Sequence, residues 1–209
     1  MARAKHYVMV IDLHACTGCD TCSVACKQEN NLPEDVWWTR VITVSANGEA
    51  NNGHAYPDVR LDYLPLGCQH CVEGPCVDVC PTAATFRHPE LDCVMQDPSL
   101  CIGCRYCTIV CPYTGVRVYA QDQPRYVLPF PTGDNTIVHR AQTVEKCTFC
   151  AHRLAQGQEP ACVAACPTRA RTFGDLNDPD SAVAELLRSR AHFQLLPEKG
   201  TVPSVYYLI

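Results

Sequence analysis

The arrangement of its cysteines constrains this chain more than any other feature of the sequence. Seventeen of the 209 residues are cysteine, and sixteen of these fall into four groups of four. The repeated pattern indicates four copies of one small cysteine-bearing unit. We number the groups one to four: Cys16, Cys19, Cys22 and Cys26; Cys68, Cys71, Cys76 and Cys80; Cys101, Cys104, Cys107 and Cys111; Cys147, Cys150, Cys162 and Cys166.

The spacing within the groups favours iron–sulfur clusters of the 4Fe–4S type. Groups one and three have the spacing C-x2-C-x2-C-x3-C, and groups two and four each widen one gap. In the bacterial ferredoxin pattern, three closely spaced thiolates bind one cluster and the fourth cysteine binds the other cluster of a pair. Three of the four groups also end in Cys-Pro, as that pattern does. The sixteen cysteines therefore suffice for four 4Fe–4S clusters.

Zinc and disulfides are the other ordinary explanations for so many cysteines. Zinc sites usually join two C-x2-C pairs across a longer gap, which leaves a third and fourth cysteine at this spacing without a role. Disulfides need an oxidising compartment, and the N-terminal residues carry no secretory signal. A zinc-stapled interaction module remains an alternative, and a brown colour with broad visible absorption would exclude it.

The gaps between groups predict how they pair. Groups two and three are separated by 20 residues, enough for one hairpin, whereas the flanking gaps are 41 and 35 residues long. We therefore expect an α+β fold of two ferredoxin-like units, one inserted in the other and each holding two 4Fe–4S clusters. The outer unit would comprise 1–60 and 140–209, and the inserted unit 61–139.

Exchange of the fourth cysteine within each pair of groups predicts four ligand sets. We refer to them as sets 1 to 4: Cys16, Cys19, Cys22 and Cys166 (set 1); Cys147, Cys150, Cys162 and Cys26 (set 2); Cys68, Cys71, Cys76 and Cys111 (set 3); Cys101, Cys104, Cys107 and Cys80 (set 4).

Three kinds of residue lie near the ligands without belonging to a set. Cys93 is predicted to be a buried, small apolar residue. His70 and His152 are expected to be structural, because sixteen cysteines are already available. The cations that flank ligands have two open interpretations, either offsetting cluster charge or forming a solvated surface: Lys27, Arg105, Lys146, Arg153 and Arg169.

Regular structure is predicted to be short and sparse. Residues 7–12, 41–45, 116–120 and 204–208 are predicted strands, and 84–88 is expected to pair with 92–96 as a hairpin. A helix is predicted to begin with Asp178 as its N-cap and Pro179 as its first residue and to lead into 182–190, with Leu186 and Leu187 facing inward. Long loops are predicted at 48–57 and 121–143.

Composition excludes several functions. The formal net charge is −5 without a basic run, so nucleic acid is not an expected partner. No apolar run approaches the ~20 residues of a membrane span, so we expect the chain alone to be soluble. The sequence contains no Gly-rich dinucleotide fingerprint and no nucleophile–base pattern, so no catalytic residue is predicted.

Two segments carry a resemblance to a known family. Cys-Ile-Gly-Cys-Arg-Tyr-Cys at 101–107 and Lys-Cys-Thr-Phe-Cys-Ala-His-Arg at 146–153, together with the four groups, resemble the iron–sulfur subunit of molybdopterin oxidoreductases. These include dimethyl sulfoxide, polysulfide, thiosulfate and respiratory arsenate reductases. The resemblance covers nearly the whole chain, and the tail from 173 is most similar to the polysulfide and arsenate branch.

The resemblance implies electron transfer between partners. A molybdopterin catalytic subunit holding molybdenum or tungsten would lie nearest the Cys16 cluster, and the Cys101 cluster would lie farthest from it. A membrane anchor subunit that handles quinone, or another electron donor or acceptor, would dock elsewhere.

Relatives with tryptophan in group three hold a 3Fe–4S cluster, whereas Cys104 here implies four full cubanes. Association with a membrane would depend on the partners: co-export with a twin-arginine catalytic subunit would place the complex outside the cytoplasm, and without that signal it would stay in the cytoplasm. A free-standing polyferredoxin is the second alternative, and co-purification of a large subunit would exclude it.

Overall fold

The computed structural model describes residues 5–44, 56–57, 61–132 and 138–209. These residues form short helices and strands in mixed order, which is an α+β arrangement. The strands are β1 (Tyr7–Asp12), β2 (Thr39–Val44), β3 (Asp62–Gly67), β4 (Thr85–Arg87), β5 (Val94–Gln96), β6 (Arg117–Ala120), β7 (Thr143–Lys146), β8 (Arg171–Asp175), β9 (His192–Phe193) and β10 (Val205–Leu208). The helices are α1 (Thr21–Glu29), α2 (Pro75–Asp78), α3 (Tyr106–Ile109), α4 (Ala151–Ala155), α5 (Ala161–Ala164) and α6 (Ala182–Ser189), and Pro197–Lys199 form a 3-10 turn.

A four-stranded sheet, in the order β8-β1-β10-β9, joins the two ends of the chain. Strand β1 runs parallel to β10 and antiparallel to β8, with Ile11 opposite Arg171. Side chains alternate between the two faces of a strand. Val8 and Val10 therefore pack towards α6, whereas Met9 and Ile11 pack towards the cysteine-bearing segments.

Three antiparallel strand pairs, β2–β3, β4–β5 and β6–β7, connect the cysteine groups. Two of them lead directly into a group, because Cys68 follows the last residue of β3 and Cys147 follows the last residue of β7. The apolar clusters between these elements are small, and all but the one under α6 include cysteine side chains. The strand pairs thus position the groups beside one another.

Most of the predicted strands are confirmed. Strand β1 has the predicted bounds, and the predicted hairpin is the pair β4–β5, in which Phe86 lies opposite Met95. The strands predicted at 116–120 and 204–208 each begin one residue later. Strand β2 begins at Thr39, two residues earlier than predicted, and the predicted end at Ser45 lies outside the described residues.

The predicted start of the last helix is wrong. Helix α6 begins at Ala182, and its N-cap is Ser181, whose hydroxyl accepts the Ala184 N–H at 3.3 Å. The Asp178 carboxylate instead accepts the N–H of Asp180 in the preceding turn. Serine at the N-cap satisfies an otherwise unpaired N–H of the first turn, which explains the later start. Leu186 and Leu187 pack against the sheet as predicted.

Helices and strands around the cysteine groups were missing from the sequence prediction. The longest is α1, which carries Cys22 and Cys26, and strands β3, β7 and β8 were also not predicted. The predicted loop at 121–143 ends one residue early, because Thr143 already belongs to β7. Most of the other predicted loop, 48–57, lies outside the described residues.

Candidate metal centres

The loops of groups one and three have the same backbone conformation. Gly18 and Asp20 have φ angles of 68° and 56°, and Gly103 and Arg105 have 68° and 63°. Left-handed residues that alternate with other conformations turn successive N–H groups towards one point, which forms a concavity for anions. A Cβ on Gly103 would lie 2.1 Å from the carbonyl oxygen of Gln142, so only glycine fits there.

None of the seventeen cysteines forms a disulfide, and their exposure differs along the molecule. Cys19 of set 1 and Cys104 of set 4 are exposed. Every member of sets 2 and 3 is buried or half-buried. Among the described residues, no three His, Cys, Asp or Glu side chains are placed to hold a single metal ion.

The cysteines of sets 1 and 2 lie near one another across long stretches of sequence. Burial is the main reason that the pKa of Cys16 is raised, and the nearby thiols of Cys22 and Cys166 raise it further. Burial also raises the pKa of Cys26 well above its usual value, and three further thiols add to the effect. Those three are Cys147, Cys162 and Cys150 of group four.

A similar arrangement is found among the cysteines of set 3. Burial raises the pKa of Cys111 to about 12, and the thiols of Cys68 and Cys76 raise it further. Burial likewise raises the pKa of Cys71, with smaller contributions from the same two thiols. The fourth cysteine of group three therefore lies beside the first and third cysteines of group two.

Three thiol pairs connect different sets. Cys22 of set 1 contributes to the raised pKa of Cys162 of set 2, for which burial is the main cause. Cys68 of set 3 acts in the same way on the half-buried Cys147 of set 2. Cys76 of set 3 acts on Cys107 of set 4, again after burial. These neighbours link the sets in the order 1, 2, 3, 4.

Strand pairing explains why the ends of distant groups approach each other. Asp12 N donates to the carbonyl oxygen of Ala170 at 2.7 Å, so the segment leading to Cys16 lies beside the segment that follows Cys166. In the β4–β5 hairpin, Thr85 lies opposite Gln96. Cys80 lies five residues before Thr85, and Cys101 lies five residues after Gln96. Both arrangements bring a fourth cysteine towards the set predicted for it.

Hydrogen bonds to sulfur surround several of these cysteines. The backbone N–H groups of Thr85, Val144 and Phe149 donate to Cys80, Cys101 and Cys147 respectively, each at 3.4 Å. The amide of Asn30 donates to Cys26 Sγ at 3.6 Å. The exposed Cys19 lies 3.3 Å from Thr21 Oγ1. Hydrogen bonds to ligand sulfur are one of the protein's means of tuning cluster potential.

Buried cations face the thiols. Arg171 is 8% exposed, and its guanidinium donates to Cys22 Sγ at 3.4 Å and to Cys162 Sγ at 3.9 Å. Arg117 is 7% exposed and donates to Gln96 Oε1 at 3.2 Å, while its Nη2 has no hydrogen-bond partner. Burial lowers the pKa of Arg117, but the thiols of Cys68, Cys76 and Cys107 raise it more.

These donors and charges fit 4Fe–4S clusters. A buried guanidinium without an anionic partner is costly, and no carboxylate pairs with Arg117 or Arg171 among the residues that the structure describes. Clusters held by four thiolates are net anions and would supply that partner. The raised pKa values of the buried thiols mean that cluster binding must displace their protons.

The structure also places the other residues singled out by the sequence. Cys93 is fully buried, and burial raises the pKa of its thiol to about 11, which confirms it as a neutral core residue. His152 pairs with Glu29 of α1 at 2.9 Å, a structural role as expected. His70 is fully buried, its ring stacks on Phe149 at 3.6 Å, and burial lowers its pKa well below the usual value.

The flanking cations differ in their surroundings. Lys146 is buried, and its ammonium group donates to the carbonyl oxygens of Val94 and Cys147. Lys27 is half-buried and donates to three backbone carbonyls of the segment that follows α1. Arg105 and Arg169 are exposed. Sequence reasoning missed Arg117 and Arg171, although each opens the first strand after a group's final cysteine, a position that the repeat itself could have indicated.

None of the helices in the described ranges combines the length and apolar character needed to cross a bilayer.

Comparison with known proteins identifies related chains. The pattern of the family described as "4Fe-4S dicluster domain" matches residues 59–125 and 129–176. A chain of Halobacterium salinarum, assigned as an iron–sulfur subunit of dimethyl sulfoxide reductase, is 44% identical over 97% of this chain and 79% of its own length.

Two further relatives are named as subunits of other reductases. The arsenate respiratory reductase iron–sulfur subunit ArrB of Shewanella sp. ANA-3 is 36% identical over 96% of this chain and 94% of its own. The iron–sulfur cluster-binding subunit of menaquinone reductase from Nitratidesulfovibrio vulgaris is 40% identical over 96% of this chain and 87% of its own. On this evidence the chain belongs to the 4Fe–4S dicluster family, as an iron–sulfur electron-transfer subunit of the molybdopterin oxidoreductase type.

Proposed function

We propose that this chain holds four 4Fe–4S clusters in single file and relays single electrons between a molybdopterin catalytic subunit and a second redox partner. The clusters, when bound, supply one-electron storage at each position. The protein supplies the ligands, excludes water from the middle of the file and presents its two ends to partners. The proposed ligands are the four cysteines of each of sets 1 to 4.

One observation carries this proposal most directly: each electrostatic interaction found between thiols of different sets joins consecutive sets. Cys22 lies beside Cys162, Cys147 beside Cys68, and Cys76 beside Cys107. An order of 1, 2, 3, 4 places a nearest neighbour at every step. A file of this kind suits stepwise electron transfer, whereas a zinc-stapled module would have no need of it.

The exposure of the cysteines supports two docking ends. Cys19 at one end of the file and Cys104 at the other are the exposed members of the sets, while the two middle sets are shielded. Around Cys104, the side chains of Ile102 and Ile109 are 64% and 75% exposed, and Leu100 and Tyr106 are also exposed. An apolar surface beside an accessible cluster suits a protein partner.

The family resemblance assigns a partner to each end. We propose that the catalytic subunit, with molybdenum or tungsten, docks at the Cys19 end. The second partner, a membrane anchor subunit or another electron donor or acceptor, docks on the apolar surface around Cys104. The names of the relatives support this range of partners, since they include a dimethyl sulfoxide reductase, an arsenate reductase and a menaquinone reductase. Association with a membrane would then depend on the second partner.

Iron and sulfide analysis of anaerobically purified protein tests the number of clusters. Four 4Fe–4S clusters require roughly sixteen irons and sixteen sulfides per chain. Stoichiometric zinc, or iron near half that value in fully loaded protein, would contradict the proposal. Purification from the native host distinguishes the remaining alternative, because a free-standing polyferredoxin would come without a large subunit.

A further inference from the structure

Each half of the proposed file contains one buried arginine that lies between two ligand sets. Arg171 donates to Cys22 of set 1 at 3.4 Å and to Cys162 of set 2 at 3.9 Å. Arg117 lies near Cys68 and Cys76 of set 3 and near Cys107 of set 4. Neither residue was prominent in the sequence, because neither adjoins a cysteine.

The two arginines occupy corresponding positions in the fold. Arg171 is the first residue of β8, five residues after Cys166, and Arg117 is the first residue of β6, six residues after Cys111. The side chain is buried in both cases, so water screens its charge poorly. A guanidinium remains protonated at any ordinary pH, so the positive charge is permanent.

The junction between the two halves, where set 2 meets set 3, has no arginine shared between sets among the described residues. Here His70, two residues after Cys68 of set 3, stacks on Phe149, two residues after Cys147 of set 2, with ring centroids 3.6 Å apart. The ammonium group of Lys146 is also nearby, but it is bound by two backbone carbonyls and not by a thiol. An arginine shared between two sets thus recurs within each half of the file, at the same point of the repeat.

We propose that Arg171 and Arg117 are fixed charges that tune the clusters in pairs, Arg171 acting on clusters 1 and 2 and Arg117 on clusters 3 and 4. This inference rests on the proposed function. A positive charge stabilises the reduced, more negative state of a cluster and so raises its potential. Because each arginine faces two clusters, its charge raises both potentials and so offsets, without altering, the repulsion between electrons held on the two.

The test is a redox titration of the loaded protein, followed by electron paramagnetic resonance. In Arg171→Gln, two of the four midpoint potentials should fall. At a fixed potential, the ratio of oxidised to reduced cluster should then rise about tenfold for those two clusters. For a one-electron couple this ratio corresponds to a fall of about 59 mV in midpoint potential. In Arg117→Gln the other two should fall by a similar amount. Because the two variants should shift different pairs of potentials, each pair can be attributed to clusters 1 and 2 or to clusters 3 and 4 without a separate spectroscopic assignment.

An exposed arginine near the ligands provides a matched control. Arg169→Gln makes the same change in net charge, but its side chain is exposed. In this variant the oxidised-to-reduced ratio of each cluster should change by less than about twofold, because water and salt screen the lost charge. Equal shifts in the buried and exposed variants, or shifts spread over all four clusters, would overturn the inference.

Charge-conserving variants keep the test valid if a glutamine variant loses its clusters. Arg171→Lys and Arg117→Lys should retain the clusters with potentials close to wild type. Loss of the clusters in the lysine variants as well would overturn the inference, since the role would then be the shape of the guanidinium and not its charge. Metal analysis of the wild type separates the two proposals: fewer than four clusters contradicts the proposed function, whereas four clusters without paired shifts contradicts only the arginine assignment.

Discussion

At the scale of single residues, the surroundings of a cysteine decide its role more than its chemistry does. Cys93 and Cys104 illustrate this contrast. Cys93 is fully buried, its sulfur lies 3.7 Å from Met95 Sδ, and burial raises the pKa of its thiol to about 11. Cys104 is exposed and lies between the left-handed residues Gly103 and Arg105 of the group-three loop. Only Cys104 is placed on a loop shaped to hold an anion.

Cys93→Ser should therefore leave the cluster content unchanged, whereas Cys104→Ser should lose or convert one cluster. Iron analysis and electron paramagnetic resonance of both variants measure this difference. Serine at position 93 would bury a hydroxyl, at a cost of about 1–3 kcal/mol if it remains unpaired. Cys93→Ala controls for that cost. Disappearance of a cluster signal in both position-93 variants would show that Cys93 is a ligand.

At the scale of elements, a buried polar network fastens the segment before β7 to helix α1. His139 Nδ1 lies 2.8 Å from Glu145 Oε1 of β7, and its Nε2 lies 2.9 Å from the carbonyl oxygen of Asn30, which follows α1. The indole of Trp38 donates to the same carboxylate at 3.2 Å. Burial lowers the pKa of His139, but its hydrogen bond with Glu145 and that group's charge raise it more, so the net pKa is raised.

The raised pKa predicts a specific pH dependence of stability. A histidine whose pKa is higher in the folded state contributes stability fully below its unfolded pKa of about 6.5, and loses that contribution as pH rises through the folded value. His139→Gln should lower stability by about 1–3 kcal/mol at about pH 6, and by less at higher pH. Urea titration followed by visible absorption measures the midpoint.

The exposed His192 supplies the control for this prediction. His192→Gln should leave both the midpoint and its pH dependence close to those of the wild type. A larger effect of His139→Gln at high pH than at low pH would contradict the assignment, because it would mean that the neutral ring is the stabilising form.

The elements also show how far the sequence could predict this molecule. Strand β1 and the β4–β5 hairpin were predicted because their apolar and β-branched residues stand out locally. Helix α1 was not predicted, since most of its residues are polar and its buried side is formed largely by two cysteines, Cys22 and Cys26. The repeat could have pointed to Arg117 and Arg171, but only the strand pairing shows that they lie among thiols of distant groups.

At the scale of the whole molecule, strand pairing ties the proposed units together. Strand β1 lies between β8 and β10, so segments near both ends of the chain share one sheet. Strands β2 and β3 pair across the proposed boundary at 60, and β6 and β7 pair across the boundary at 140. The proposed inserted unit would therefore be joined to the outer one by a strand pair on each side. Such an arrangement supports a nested order of the cysteine groups.

The nested ligand sets are the central claim, and iron-specific anomalous diffraction from anaerobically grown crystals tests them most directly. Four separate iron–sulfur peaks are expected, with Cys26 bound to the same cluster as Cys147, Cys150 and Cys162. Cys166 is expected on the cluster held by Cys16, Cys19 and Cys22. Coordinates with Cys26 on the same cluster as Cys68, or with Cys166 on the same cluster as Cys101, would contradict the nesting.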